Sequence, residues 1–288
     1  MRALNATVQE FFYRPAGRFA GATDGSHRAR RLGAGDDYFG SAPLHQGHDT
    51  RRLDLRQTMS DPFGRTWVRE FRTRVNVPLI VIADLSGSMD FVGRSRRYVM
   101  LLDLVAVCAR SAWRQGDPFG FIGCDDRVRR ELHCPPSRGR TVAERAWSRL
   151  SLHVPQGDSA QGLRQAASWL PSRRCLVLLV SDMHLPERLL TAVLASLGRH
   201  DVHAIMLTDG TEHLPPRRWG LARLADLETG HDRLVWLRPG FEQRMERGYE
   251  SRIAAFRSLC RRCGVESLVL EDRIDSALLT RHFLAGAR

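Results

Sequence analysis

The chain has 288 residues, 43% of them apolar, enough for one large domain or a domain with an appendage. That content argues against intrinsic disorder, and no apolar run approaches the roughly 20 residues that span a bilayer, so membrane insertion is not expected. The formal net charge is +12 and every basic side chain is arginine; this fits an acidic partner, or equally an arginine-rich surface of no special purpose.

The first residues (MRALNATVQEFFYRP) lack the apolar core of a secretory signal. Together with cysteines set inside apolar periodic segments (Cys108, Cys124, Cys175), this makes the cytosol the expected compartment. Residues 1–76 hold 13 Arg against 8 acids and are rich in Gly, His and Asp. Few apolar positions recur there with period 2 or 3.6, so this stretch reads as an irregular segment with short strands, one near Trp67 to Val77.

From residue 77 to 288 the pattern is that of one domain. VPLIVIAD (77–84) is a continuous apolar run ending in an acid, as in a strand buried on both faces. Tyr98, Leu101, Leu102, Val105, Cys108 and Ala112 recur at helical spacing between about Ser95 and Trp113. Phe119 to Cys124 and Val128 to Cys134 read as strands, and Thr141 to Leu152 and Ser159 to Leu170 as helices. CLVLLVSD (175–182) is a second buried strand ending in an acid. A helix from Leu185 to Leu197, strands from Val202 to Thr208 and Arg233 to Leu237, and a long helix from Phe241 follow. Val265 to Leu270 and Ser276 to Leu284 close the chain as strand and helix. Buried strands alternating with helices specify an α/β fold with a mostly parallel central sheet flanked by helices.

In such sheets ligands collect beyond the carboxyl ends of the strands, where Asp84 and Asp182 fall. Asp84-Leu85-Ser86-Gly87-Ser88-Met89 sets one carboxylate and two hydroxyls on a tight loop. All three are hard oxygen donors suited to Mg²⁺ above all, with Mn²⁺ or Ca²⁺ as alternatives. In Gly157-Asp158-Ser159, Ser159 offers a third hydroxyl and doubles as a helix N-cap. Gly87, Met89, Asp158 and His184 border this loop set as a partner-binding rim. The plainer alternative is that the two acids only end strands and the serine only caps. Cys260-x-x-Cys263 lacks a second pair at zinc spacing and reads as structural. Asp125-Asp126 reads as a hairpin turn.

This set resembles the metal-ion-dependent adhesion site of von Willebrand factor A domains, with D-x-S-x-S on the first loop, threonine on the second and aspartate on the third. The resemblance implies a Rossmann-like fold in which Ser86 and Ser88 bind the metal directly. Asp84 and Asp182 would hold it directly or through water, and Ser159 stands where the family has threonine. Upstream, Gly47-His48-Asp49-Thr50-Arg51-Arg52-Leu53-Asp54-Leu55 looks like the G-D-D-x-R-x-I-D-W signature of the bacterial MoxR-associated family. His48 and Leu55 depart from it, while Asp49, Arg51 and Asp54 match and read as structural ion-pair formers. Tyr13-Arg14-Pro15, Ser26-His27-Arg28, Arg51 to Arg56 and Asp61-Pro62-Phe63 resemble the soluble members linked to methanol oxidation.

The resemblance implies a non-catalytic adaptor that works with a MoxR-type AAA+ ATPase. Its metal would accept an acidic residue of a client protein, such as a methanol dehydrogenase under maturation. RNA binding is the alternative, as some von Willebrand A proteins bind RNA. No recognition motif or basic run interleaved with aromatics supports nucleic acid as the partner. Enzymatic readings are weak: G-x-S-x-G and the P-loop are absent, and Ser86 stands where an aspartate-nucleophile phosphatase would carry a second acid.

Overall fold

The computed structural model describes residues 10–15, 27–45, 50–157, 159–212, 220–225, 232–237 and 240–285. Strand β1 (His27–Pro43) pairs antiparallel with β2 (Trp67–Val75), and between them lie a 3₁₀ turn (Thr50–Arg52) and helix α1 (Leu55–Ser60). β2 falls on the short strand expected near Trp67 to Val77, whereas its partner β1 is a long strand where irregular structure is expected. Register shifts between Arg28 and Leu32, Leu32 and Asp37, and Tyr38 and Gly40 interrupt the ladder. Such bulges erase the period-2 pattern by which a strand is read.

The domain proper runs β3 (Leu79–Asp84), α2 (Arg97–Arg114), β4 (Phe119–Cys124), β5 (Cys134–Ser137), α3 (Arg140–Leu152), a 3₁₀ helix (Gln161–Trp169), β6 (Leu176–Ser181), α4 (Glu187–Ser196) and β7 (Asp201–Thr208). A hairpin of β8 (Gly220–Ala225) and β9 (Asp232–Leu237) follows, then α5 (Phe241–Arg262), β10 (Glu266–Glu271) and α6 (Ser276–Ala285). Six strands form one sheet in the order β10-β7-β6-β3-β4-β5, parallel throughout except for β5 at the edge.

Every residue of β3, β4, β6 and β7 is buried, because both sheet faces are covered. Leu79, Val81 and Ala83 face one layer with α2 and α6, while Ile80 and Ile82 face the other with the 3₁₀ helix, α4 and α5. The chain leaves β3 toward β4 and β5, then returns to the other side of β3 with β6, β7 and β10. The order therefore reverses between β3 and β6, and the crevice at their carboxyl ends is a topological switch point.

Two expected elements differ. In place of a strand over Val128 to Cys134 there is a 3₁₀ turn at Arg130–Leu132, and pairing with β4 resumes at Cys134. A tight turn holds this segment: Asp125 N–H donates to Arg127 O at 3.0 Å, and Arg129 N–H to Gly123 O at 2.8 Å. The α-helix expected from Ser159 is instead 3₁₀ over Gln161–Trp169. Its inward residues Leu163 and Ala166 are three apart, which suits three residues per turn.

Residues 10–15 cross the far side of α2 and α6. The Phe11 ring lies on Phe283 at 5.2 Å and Tyr13 O–H donates to Asp117 Oδ2 at 2.6 Å. All six cysteines are free thiols, and burial pushes that of Cys260 up to about 12. Among the described residues no helix is long and apolar enough to cross a membrane.

Candidate metal centre

Asp84 ends β3 and is fully buried. Its Oδ1 accepts from Ser86 N–H at 2.9 Å, and its Oδ2 accepts from Ser181 Oγ, the last residue of β6, at 2.8 Å. The chain then turns through a 3₁₀ segment (Gly87–Asp90) that sets the Ser86 and Ser88 hydroxyls 3.2 Å apart, both buried. The second loop is tied directly to the first: Gly87 N–H donates to Gly157 O at 2.9 Å, and Gln156 N–H to Leu85 O at 3.3 Å. Ser159, half-buried two residues after Gly157, accepts from Gln161 N–H at 3.2 Å, but it is not the N-cap expected of it: Ala160 holds that position, because the 3₁₀ helix starts only at Gln161. A hydroxyl accepting one such bond keeps a further lone pair.

The second loop is also fixed by Gly162, whose N–H donates to Asp125 O at 2.8 Å. A Cβ there would lie 2.4 Å from the Arg127 carbonyl carbon, so only glycine permits this approach.

Asp182, one residue past β6, is fully buried. Met183 takes a left-handed φ of 59°, a conformation rare outside glycine and frequent at functional sites. Its N–H donates to Ser181 Oγ at 2.9 Å, and His184 N–H donates to Asp182 Oδ1 at 3.0 Å. Asp182 Oδ2 accepts from Arg97 Nη1 at 2.8 Å. The same nitrogen donates to Ser88 O at 2.6 Å, which brings the third loop against the first.

Among the described residues Asp84 has hydrogen-bond donors but no cationic partner. Burial, and next the charge of Asp182, push its carboxyl up to about 6. Asp182 has Arg97 beside it, so Asp84 is the buried carboxylate that calls for a cation. The donor set fits a small hard one: neighbouring octahedral ligands at about 2.1 Å from Mg²⁺ stand roughly 3 Å apart, and the two serine hydroxyls are 3.2 Å apart. No group of three or more His, Cys, Asp or Glu side chains placed to hold a metal ion occurs among the described residues. A metal here would therefore rest on hydroxyls backed by two carboxylates.

Of the expected rim, only His184 is exposed among the described residues; its ring contacts Glu212 and Arg252. Gly87 and Met89 are buried, Met89 within the core, because the 3₁₀ turn folds it inward. Asp158 and Asp49 lie outside the described residues. Asp54 caps α1 by accepting from Gln57 N–H, and it also takes Ser41 Oγ at 2.7 Å and Arg69 Nε at 3.6 Å. These bonds, led by that from Ser41, hold its carboxyl below the usual range. Arg51 is exposed on the preceding 3₁₀ turn.

Three residues escaped the sequence reading: Ser181, Arg97 and Glu212. Arg97 is 1% exposed. The signal for it was present, since Arg97, Leu101, Leu104 and Cys108 share one apolar face of α2, where a charge is out of place. Glu212 has no such signal; it lies beyond β7 and is drawn in by Arg97, Arg252 and Thr208.

The family model described as "Protein of unknown function DUF58" matches residues 42–255. An "uncharacterized protein in moxR 3'region" of Paracoccus denitrificans is 36% identical over 99 residues, covering 34% of this chain and 94% of that protein. Among solved structures, the conserved hypothetical protein BatB from Bacteroides thetaiotaomicron is 15% identical. It covers 74% of this chain and 99% of its own, with a TM-score of 0.41. The SpRpn10 VWA domain is 12% identical, covers 71% of this chain and 94% of its own, and has a TM-score of 0.38.

Proposed function

The chain belongs to the DUF58 family of proteins of unknown function, and from that premise we propose that it is a non-catalytic, metal-dependent protein-binding adaptor. One observation carries the reading. The Ser86 and Ser88 hydroxyls meet at 3.2 Å over two buried carboxylates, Asp84 and Asp182, at the switch point of a parallel sheet. Ser86 and Ser88 would hold a divalent ion directly, with Ser159 as a third hydroxyl, and Asp84 and Asp182 would supply the balancing charge. When bound, a hard cation such as Mg²⁺ offers a coordination position to an oxygen of another protein's carboxylate. Asp84 and Asp182 have their oxygens already engaged by Ser86, Ser181, His184 and Arg97, so they are oriented before any ion arrives.

The Paracoccus denitrificans relative is named for the moxR 3' region, which makes a MoxR-type AAA+ ATPase the partner to test. The finer assignment, to the MxaS member of the MoxR-associated family with a methanol dehydrogenase as client, rests on the sequence resemblance around Tyr13, His27 and Asp61. The test is capture of a purified MoxR-type ATPase by the immobilised full chain, with and without EDTA. Capture is expected in Mg²⁺, abolished by EDTA and absent from Ser86→Ala/Ser88→Ala. Capture indifferent to EDTA and to the double substitution would remove the metal from the interaction.

A further inference from the structure

Arg97 is a full charge buried at the edge of the metal centre, 1% exposed, with three acceptors around its guanidinium. Nη1 donates to Ser88 O and Asp182 Oδ2, and Nη2 pairs with Glu212. Its carbon lies 5.0 Å from the centre of the Phe91 ring, which closes one face. Glu212 in turn takes Arg252 Nη2 at 2.5 Å and Thr208 Oγ1 at 2.9 Å. A second cation therefore already serves Glu212, and the charge of Arg97 is divided between Glu212 and Asp182.

We propose that Arg97, shared between Asp182 and Glu212, is a built-in counter-cation that sets how tightly the centre holds a divalent ion. The proposal rests on the reading of the site given above and adds a residue that tunes it. A buried unit charge within hydrogen-bond reach of Ser88 O and Asp182 repels an incoming dication, and the low local polarity magnifies the repulsion. It also competes for Asp182 Oδ2. Glu212 acts in the opposite sense, drawing the charge of Arg97 away from the site and adding a negative charge of its own. Asp182 does not depend on Arg97 alone for its orientation, because His184 N–H holds Oδ1. Loss of the arginine charge therefore frees the carboxylate without releasing it.

The two variants that follow move affinity in opposite directions, which a merely structural role would not do. In titration of the full chain with Mn²⁺ alone, Arg97→Gln binds about tenfold tighter than wild type or better, the scale on which outer-shell partners of metal ligands act. Glu212→Gln binds more weakly by a similar factor, and the double variant returns toward wild type. Arg262→Gln, which breaks an exposed pair with Glu187, leaves affinity unchanged. Near-ultraviolet circular dichroism establishes that each variant is folded; should Arg97→Gln not fold, the weakening in Glu212→Gln carries the test. Wild-type binding with Arg97→Gln and Glu212→Gln unchanged, or shifted in the same direction, would overturn the role of Arg97 and leave the metal site standing. No Mn²⁺ binding by wild type and none by Arg97→Gln would overturn the site itself, and this proposal with it. Binding by Arg97→Gln alone would uphold the role of Arg97 and overturn the metal dependence proposed for the wild-type chain.

Discussion

Asp84 is buried with hydrogen-bond donors but, among the described residues, without a cationic partner, and its carboxyl is pushed up to about 6 by burial and by Asp182. A folded-state pKa raised above the ordinary 3.8 means that the native fold loses stability as pH rises from about 4 through 6, as the buried carboxyl ionises. Asp84→Asn removes that ionisation while keeping a hydrogen-bonding group. With EDTA present at pH 7 it should melt higher than wild type, and Mn²⁺ should no longer raise its melting temperature. A lower melting temperature in EDTA would show that the charge is already compensated. The histidines behave oppositely. His203, 4% exposed, is pushed down to about 3 by burial and then by His282. Its unfolded value lies near 6.5, so it contributes stability above that pH, lost as pH falls through 6.5 toward 3. The loss is at most about 1.4 kcal/mol per pH unit for one group. Melting curves at pH 7 and 5 should therefore converge in His203→Gln relative to wild type; an unchanged gap would place the acid sensitivity elsewhere.

At the scale of elements, the site is made by three loops whose positions are set by different devices. The first is fixed by the 3₁₀ turn after β3, the second by Gly162 against the Arg127 backbone, and the third by the Ser181 hydroxyl, which joins Asp84 Oδ2 to Met183 N–H. Gly162→Ala should cost roughly 1–3 kcal/mol by overpacking, readable as a lower urea midpoint. Because that loop carries Ser159, Mn²⁺ affinity should fall with it, and full retention of affinity would separate Ser159 from the site. Much of this was legible in the sequence. VPLIVIAD and CLVLLVSD announced two strands buried on both faces, and D-x-S-x-S placed the hydroxyls. The β1–β2 ribbon was hidden by its bulges, and the 3₁₀ helix at Gln161–Trp169 by an apolar spacing that also suits an α-helix. Glu212 is held by Thr208 at the end of β7 and reaches the site through tertiary contacts with α2 and α5, which no local pattern records.

Across the whole molecule, a net charge of +12 surrounds a centre whose own carboxylates are buried. An acidic partner would be steered to such a surface and then held at the metal. The two contributions separate by salt. Raising ionic strength should slow association steeply while leaving the EDTA-sensitive component of capture in place. Complete loss of capture at moderate salt, with metal present, would assign the interaction to surface charge alone. The most direct test of the account is calorimetric titration of Mn²⁺ into the full chain beside its Ser86→Ala/Ser88→Ala variant. One site per chain is expected in wild type, absent from the variant while its fold is intact. Equal binding by both, or by neither, would contradict it.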